Sequence, residues 1–165
     1  NGLTMEQYEE SMRSAILTDE LIRQLALEVP QAMRQVHVRQ ILVADETQAN
    51  QIRGQLDAGA DFAELAKQYS MDEGSRAEGG DRGFLPLGIS ILLPEVEAAV
   101  ASLSAGQIAG PIPSAHGYYL VQVVESEESR TVSAEVRQGL TQEAFIDWLE
   151  GQRAKATIER YVAFE

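Results

Sequence analysis

The sequence predicts an α+β fold, with strands and short helices in the middle and longer helices at both ends. Three observations carry this. Apolar residues recur at helical spacing through the first 34 positions and again after about position 141. Residues 35–43, QVHVRQILV, alternate with the period of a strand. Two further strand-like runs, 107–112 and 117–124, close the central region with the turn-forming SAHG between them. Helices segregated from a mostly local set of strands define an α+β arrangement.

Taken in order, Thr4 and Gln7 form a capping-box pattern, and Tyr8, Met12, Ala15 and Ile16 then share a helical face. Thr18 or Asp19 is a candidate cap for a second helix with Leu21, Ile22, Leu25 and Val29 inward, which Pro30 stops. In the strand that follows, one face shows Val36, Val38, Gln40 and Leu42, the other His37, Arg39, Ile41 and Val43. Gln40 breaks an apolar face, so its amide is either a satisfied core group or part of a cleft. Asp45 or Thr47 opens a helix carrying Ala49, Ile52 and Leu56, and Asp61 opens another carrying Phe62, Leu65, Ala66 and Tyr69. The stretch from Ser70 to Phe84 is rich in glycine and reads as a loop, free to lie over a nearby opening. Pro94 suits the first position of a helix with Val96, Ala99, Val100 and Leu103 at i, i+3, i+4 and i+7. After Glu125, ESEESR reads as a polar linker. A final helix from about Thr141 to Val162 carries Phe145, Trp148, Leu149, Ile158 and Tyr161 as its apolar anchors. The domain boundaries expected from this pattern are a helical segment 1–34, a central domain 35–125 and a C-terminal helical segment 126–165.

Composition narrows the function. The chain has 13 basic and 26 acidic residues and a net charge of −13, which repels the phosphates of nucleic acid and anionic membrane surfaces. There is no cysteine, hence no disulfide framework, no thiolate nucleophile and no cysteine-type zinc site. Such a composition suits an oxidising compartment, where stray thiols mispair. No apolar run approaches the ~20 residues that span a bilayer. No signal peptide is visible, and the chain starts with Asn1, so it reads as a fragment that lacks its parent's signal or membrane anchor.

Six pieces of residues 35–125 then fall in a telling order. They are Gln40-Ile41-Leu42-Val43, the run from Gly59 through Asp61-Phe62, Leu65-Ala66 and Tyr69-Ser70, Asp72 with Gly79-Gly80-Asp81-Arg82-Gly83, Leu92-Leu93-Pro94-Glu95-Val96-Glu97-Ala98-Ala99, Gly106 to Ile112, and Ser114 to Tyr119. In this order they resemble the parvulin (PpiC, rotamase) type of peptidyl-prolyl cis-trans isomerase. That family's pattern runs His-Ile-Leu-Val, Gly-x-Asp-Phe-x-x-Leu-Ala-x-x-Tyr-Ser, a Cys or Asp two residues later, Gly-Gly-Asp-Leu-Gly, Met-x-Pro-x-Phe-Glu-x-Ala, Gly-x-Ile-x-x-Pro-Val and Thr-x-Phe-Gly-Tyr-His. The Gly59–Ser70 piece matches throughout. The helices at the ends, with Phe145, Trp148, Leu149, Arg153 and Ile158, resemble more loosely the chaperone part of SurA- and PrsA-like foldases. The resemblance implies a four-stranded, mostly antiparallel sheet with surrounding helices, and terminal helices packed together as a frame.

It also implies the site. The chemistry is rotation about an X–Pro amide over a barrier of about 18–20 kcal/mol, with no covalent step and no cofactor or metal. A catalyst must hold the proline ring in an apolar pocket and weaken the amide resonance. A ten-thousandfold acceleration needs only about 5.4 kcal/mol of differential stabilisation. Carried over residue by residue, Asp72 keeps the acidic version of the Cys/Asp position and Ser114 keeps the hydroxyl. Gln40 and Tyr119 stand where the family has its two histidines. The proline pocket maps to Leu92 and Val96, where the family has Met and Phe, with His116 at a second aromatic position. Gln40 and Tyr119 are open to two readings, a structural pair or an altered network, and Asp72 to two, a turn residue or a catalytic group. The implied function is isomerisation of prolyl bonds in unfolded or proline-containing clients destined for the envelope or secretion, outside the cytoplasm. The alternative is a non-catalytic peptide-binding holdase using the same cleft.

Overall fold

A computed structural model of the chain describes residues 4–89 and 91–156. The elements are α1 (Met5–Glu28), β1 (Ala32–Val43), α2 (Glu46–Asp57), α3 (Phe62–Tyr69), α4 (Glu73–Arg76), β2 (Asp81–Pro86), α5 (Pro94–Val100), β3 (Ile108–Ser114), β4 (Gly117–Thr131) and α6 (Ala134–Lys155). They divide into two compact units: Ala32–Thr131, and the described parts of Asn1–Gln31 with Val132–Glu165.

In the first unit the four strands form one sheet in the order β2-β1-β4-β3, with every neighbouring pair antiparallel. β1 lies in the middle, and its alternation sorts the core into two halves. Val36 and Val38 pack with Leu92, Val96, Val100, Ile112, Val121 and Val123 on the α5 side. Ile41 and Val43 pack with Ala49, Ile52, Leu56, Phe62, Leu65, Ala66 and Leu120 on the α2–α3 side. The caps expected for these helices form: the Asp45 and Asp61 carboxylates each accept from the backbone N–H three residues on, at 2.9 Å. Pro94 occupies the first turn of α5.

Two expectations for this unit change. The polar run after Glu125 is strand, not linker, because β1 begins as early as Ala32 and offers it a partner. Gln35 pairs with Glu127, Met33 with Arg130 and Ala32 with Thr131. The glycine-rich Ser70–Phe84 stretch is not a free flap over an opening. It folds into α4 and the edge strand β2 and is bonded to β1 at both ends. Met71 N–H donates to Leu42 O at 2.7 Å, and Gln40 N–H donates to Gly80 O at 2.8 Å. Gly79 and Gly80 both have positive φ, +70° and +81°. A Cβ on Gly79 would strike Ala63, and one on Gly80 would strike the Gln40 carbonyl, so the glycine pair permits the loop to close on the strand.

In the second unit the Thr4–Gln7 capping box forms, and α1 packs on α6. Here a single helix replaces the two expected. Thr18 and Asp19 lie inside α1, and Asp19 pairs with Arg23 at 2.7 Å rather than capping a new helix. Nothing between Met5 and Glu28 is glycine or proline, so no break is forced. Contact with α6 falls toward the end of α1, where Leu21, Ile22, Leu25 and Ala26 are half-buried and Val29 just beyond it is buried, while Tyr8, Met12 and Ile16 are exposed. α6 starts earlier than expected, at Ala134, because Ser133 caps it by accepting from Val136 N–H. Phe145 and Leu149 are half-buried, but Trp148 is exposed rather than core, since a helix with one helical neighbour buries one stripe. The expected anchors Ile158 and Tyr161, and the expected end at Val162, lie outside the described residues.

Candidate active site

The site grows from Gln40, the polar exception on the α5 face of β1. Its side chain is buried. A buried primary amide needs a partner, and its Nε2 donates to Asp72 Oδ2 at 2.6 Å. Asp72 is brought there by the residues before and after it. The buried Ser70 hydroxyl oxygen accepts from both Leu42 N–H and Asp72 N–H at 3.2 Å, tying the start of the loop to β1. Ser75, fully buried in α4, donates its hydroxyl to the same Asp72 oxygen at 2.5 Å.

Two neutral donors therefore converge on one carboxylate oxygen. Burial pushes the Asp72 carboxyl up, but the hydrogen bonds from Ser75 and Gln40, the positive charge of Arg82 and the Gly74 N–H outweigh it. The carboxyl is held below the usual carboxylate range and is ionised throughout the neutral range. Tyr119 moves the other way: burial and the negative charges of Asp72 and Glu95 raise its phenol, against the pull of Arg82. The phenol is neutral where the carboxylate is charged.

Beside this cluster lies a small cleft of about 70 Å³, lined by Gln40, Arg82, Ile91, Leu92, Leu93, Val96 and Tyr119. Tyr119 reaches it from β4, which pairs directly with β1 through Leu42↔Tyr119 and Gln40↔Val121. Leu92, just before α5, and Val96, in its first turn, are buried and form the cleft's apolar wall. Apolar walls with a few convergent polar groups are the make-up of a ligand pocket.

Of the seven residues singled out in the sequence, five meet here: Gln40, Asp72, Leu92, Val96 and Tyr119. The Gln40 amide turns to Asp72 and not across the strands to Tyr119. Ser114 and His116 are not brought into the cluster. The Ser114 hydroxyl serves the β3–β4 turn, donating to Gly117 O at 2.8 Å and accepting from His116 N–H at 3.1 Å. His116 is exposed on that turn. Among the described residues no group of three or more His, Asp or Glu side chains could hold a metal ion.

A profile of the rotamase family, the PPIC-type PPIase domain, matches residues 37–125, more than half of the chain. The chain belongs to this rotamase family. It is 34% identical over 127 residues to the foldase protein PrsA of a Geobacillus species, covering 77% of this chain and 45% of that protein. It is 36% identical over 147 residues to the chaperone SurA of Methylobacillus flagellatus, covering 79% of this chain and 33% of that protein. Among solved structures, the peptidylprolyl isomerase PrsA of Bacillus cereus superposes with a TM-score of 0.65 at 28% identity, over 97% of this chain and 66% of that one. The chain spans less than half the length of these two curated relatives.

Within this rotamase domain, four residues of the site were not singled out in the sequence. Ser75 carried a usable signal, a hydroxyl one helical turn after Asp72. Arg82 carried a stronger one: it stands where the family pattern Gly-Gly-Asp-Leu-Gly has its leucine. Ile91 and Leu93 flank Leu92 and carried none beyond being apolar.

Proposed function

We propose that the chain is a parvulin-type peptidyl-prolyl cis-trans isomerase that assists the folding of polypeptides outside the cytoplasm. The observation that carries this reading is the Gln40–Asp72–Ser75 cluster, an ionised carboxylate fixed beside a small cleft with an apolar wall of Leu92 and Val96 in a rotamase domain. The amide bond of X–Pro owes its stiffness to a resonance form with negative charge on the carbonyl oxygen. A carboxylate held near that oxygen disfavours this form, and a dry, apolar seat for the proline ring removes the water that would stabilise it. Leu92, Val96 and Tyr119 supply the seat. Gln40 and Ser75 hold the carboxylate in place without neutralising it. The clients are unfolded, proline-containing polypeptides. The foldase and chaperone names of the relatives and the cysteine-free composition support that reading and the place of action.

A protease-coupled assay on a proline tetrapeptide tests it. The expected result is acceleration by the wild type and a fall in kcat/KM of about tenfold or more in Asp72→Ala, equivalent to about 1.4 kcal/mol. No acceleration, together with suppression of client aggregation, would instead make this a peptide-binding holdase.

A further inference from the structure

We propose that Arg82 makes the cleft selective for clients with an acidic side chain next to the proline. The inference rests on reading this cleft as the proline site. Arg82 belongs to β2, where Asp81 is engaged by His37 and Arg39, residues on the β1 face opposite Gln40. Successive strand residues point to opposite faces, so Arg82 is delivered to the Gln40 face, and it lines the cleft with Gln40, Leu92, Val96 and Tyr119. Its backbone is fixed on either side: Gly80 O accepts from Gln40 N–H, and Asp81 Oδ1 accepts from Gly83 N–H at 2.8 Å.

The guanidinium is exposed and uncommitted. Among the described residues no carboxylate lies within 4.0 Å of it, as none does for Arg13, Arg76, Arg137 and Arg153, but of these only Arg82 lines the cleft. It is nonetheless near enough to act on both polar groups of the site, favouring the Asp72 carboxylate and opposing the rise at Tyr119. In a chain of net charge −13, with the charges of Asp72 and Glu95 near enough to act on Tyr119 of the cleft, an acidic peptide would otherwise meet repulsion there. Arg82 reverses the sign locally, and a guanidinium matches a carboxylate in planar, two-point geometry. The apolar leucine of the family pattern offers nothing of the kind.

The test uses capped tetrapeptides that carry Glu, Gln or Lys immediately before or immediately after proline. Dissociation constants come from NMR titration of the whole chain at low salt, with kcat/KM measured in parallel. At one of the two positions the Glu peptide is expected to bind about fivefold tighter than its Gln isostere, the upper end for an exposed charge pair. In Arg82→Leu the Glu/Gln ratio should collapse toward one. In Arg82→Glu it should reverse in favour of Lys. Backbone amide spectra confirm that each variant is folded, and Arg82→Gln replaces Arg82→Leu if that variant is not. Equal binding of Glu and Gln peptides at both positions overturns the proposal, as does a preference that survives loss of Arg82. A Glu preference in binding without any turnover leaves Arg82 in its role and overturns the isomerase reading. If no peptide binds in the cleft, both fall.

Discussion

At Asp72 one carboxylate oxygen accepts from two buried neutral donors, and the consequence is measurable. A carboxyl whose folded pKa lies below its unfolded value contributes stability above the ordinary carboxylate pKa and loses it as the pH falls through the folded value. Asp72 is such a group. Asp72→Asn is therefore expected to be less stable than wild type near neutral pH, with the gap narrowing on acidification. Urea denaturation at a series of pH values reads this directly, and a gap that widens in acid would contradict the assignment. Ser75→Ala removes one donor, so the Asp72 carboxyl should titrate at higher pH by carbon-detected NMR, with Gln40 still bound. Because Asp72 is already ionised and Tyr119 still neutral, kcat/KM should be flat across the neutral range with respect to both.

The strand-and-loop element around Gly80 holds the site together. Gly80 lies against the Gln40 carbonyl with φ at +81°, whereas Gly83, at +66°, has open space within 4 Å of where a Cβ would stand. The two positions share backbone strain but not the close approach. Gly83→Ala is expected to cost about 1–2 kcal/mol, the left-handed penalty alone. Gly80→Ala adds steric overlap at a sheet contact and is expected to cost about 2–4 kcal/mol. Urea midpoints rank the two variants. Only Gly80→Ala should also disturb the Gln40 and Asp72 amide signals, because only there is the loop forced away from β1.

On the scale of the whole molecule, the two halves of the core in Ala32–Thr131 are both built from residues of that unit. We propose that this segment folds alone and carries the cleft. A fragment 32–131 should unfold in a single urea transition and bind the same proline peptides. A fragment cut at the boundaries expected from the sequence, 35–125, loses the pairing of Ala32 with Thr131, Met33 with Arg130 and Gln35 with Glu127. It should be less stable, since it exposes the backbone groups of a truncated central strand. Equal midpoints for the two fragments would show that the β1–β4 extension contributes nothing.

Much of this protein was settled locally. The period of residues 35–43, the caps at Thr4, Asp45 and Asp61, and Pro94 at a helix start are short-range chemistry; the helices started where they placed them, and the strand formed over 35–43 but began earlier, at Ala32. The sequence also marked Gln40 as an anomaly, because an amide on an apolar face must find a partner. It could not say which. That choice was tertiary: the partner is 32 residues away, carried in by Ser70 and Gly80 through bonds to the β1 backbone. The same holds for the departures. ESEESR is polar enough for a linker, and only the early start of β1 makes it a strand. Ser114 has the right hydroxyl, and only the hairpin geometry commits it to Gly117. Trp148 has a core side chain, and only the narrow contact of α6 with α1 leaves it exposed. Arg82 reads in sequence as a charge where the family pattern has leucine; strand alternation in β2 turns it toward the cleft. Periodicity reports which face a residue occupies, and pairing between distant strands decides what that face meets.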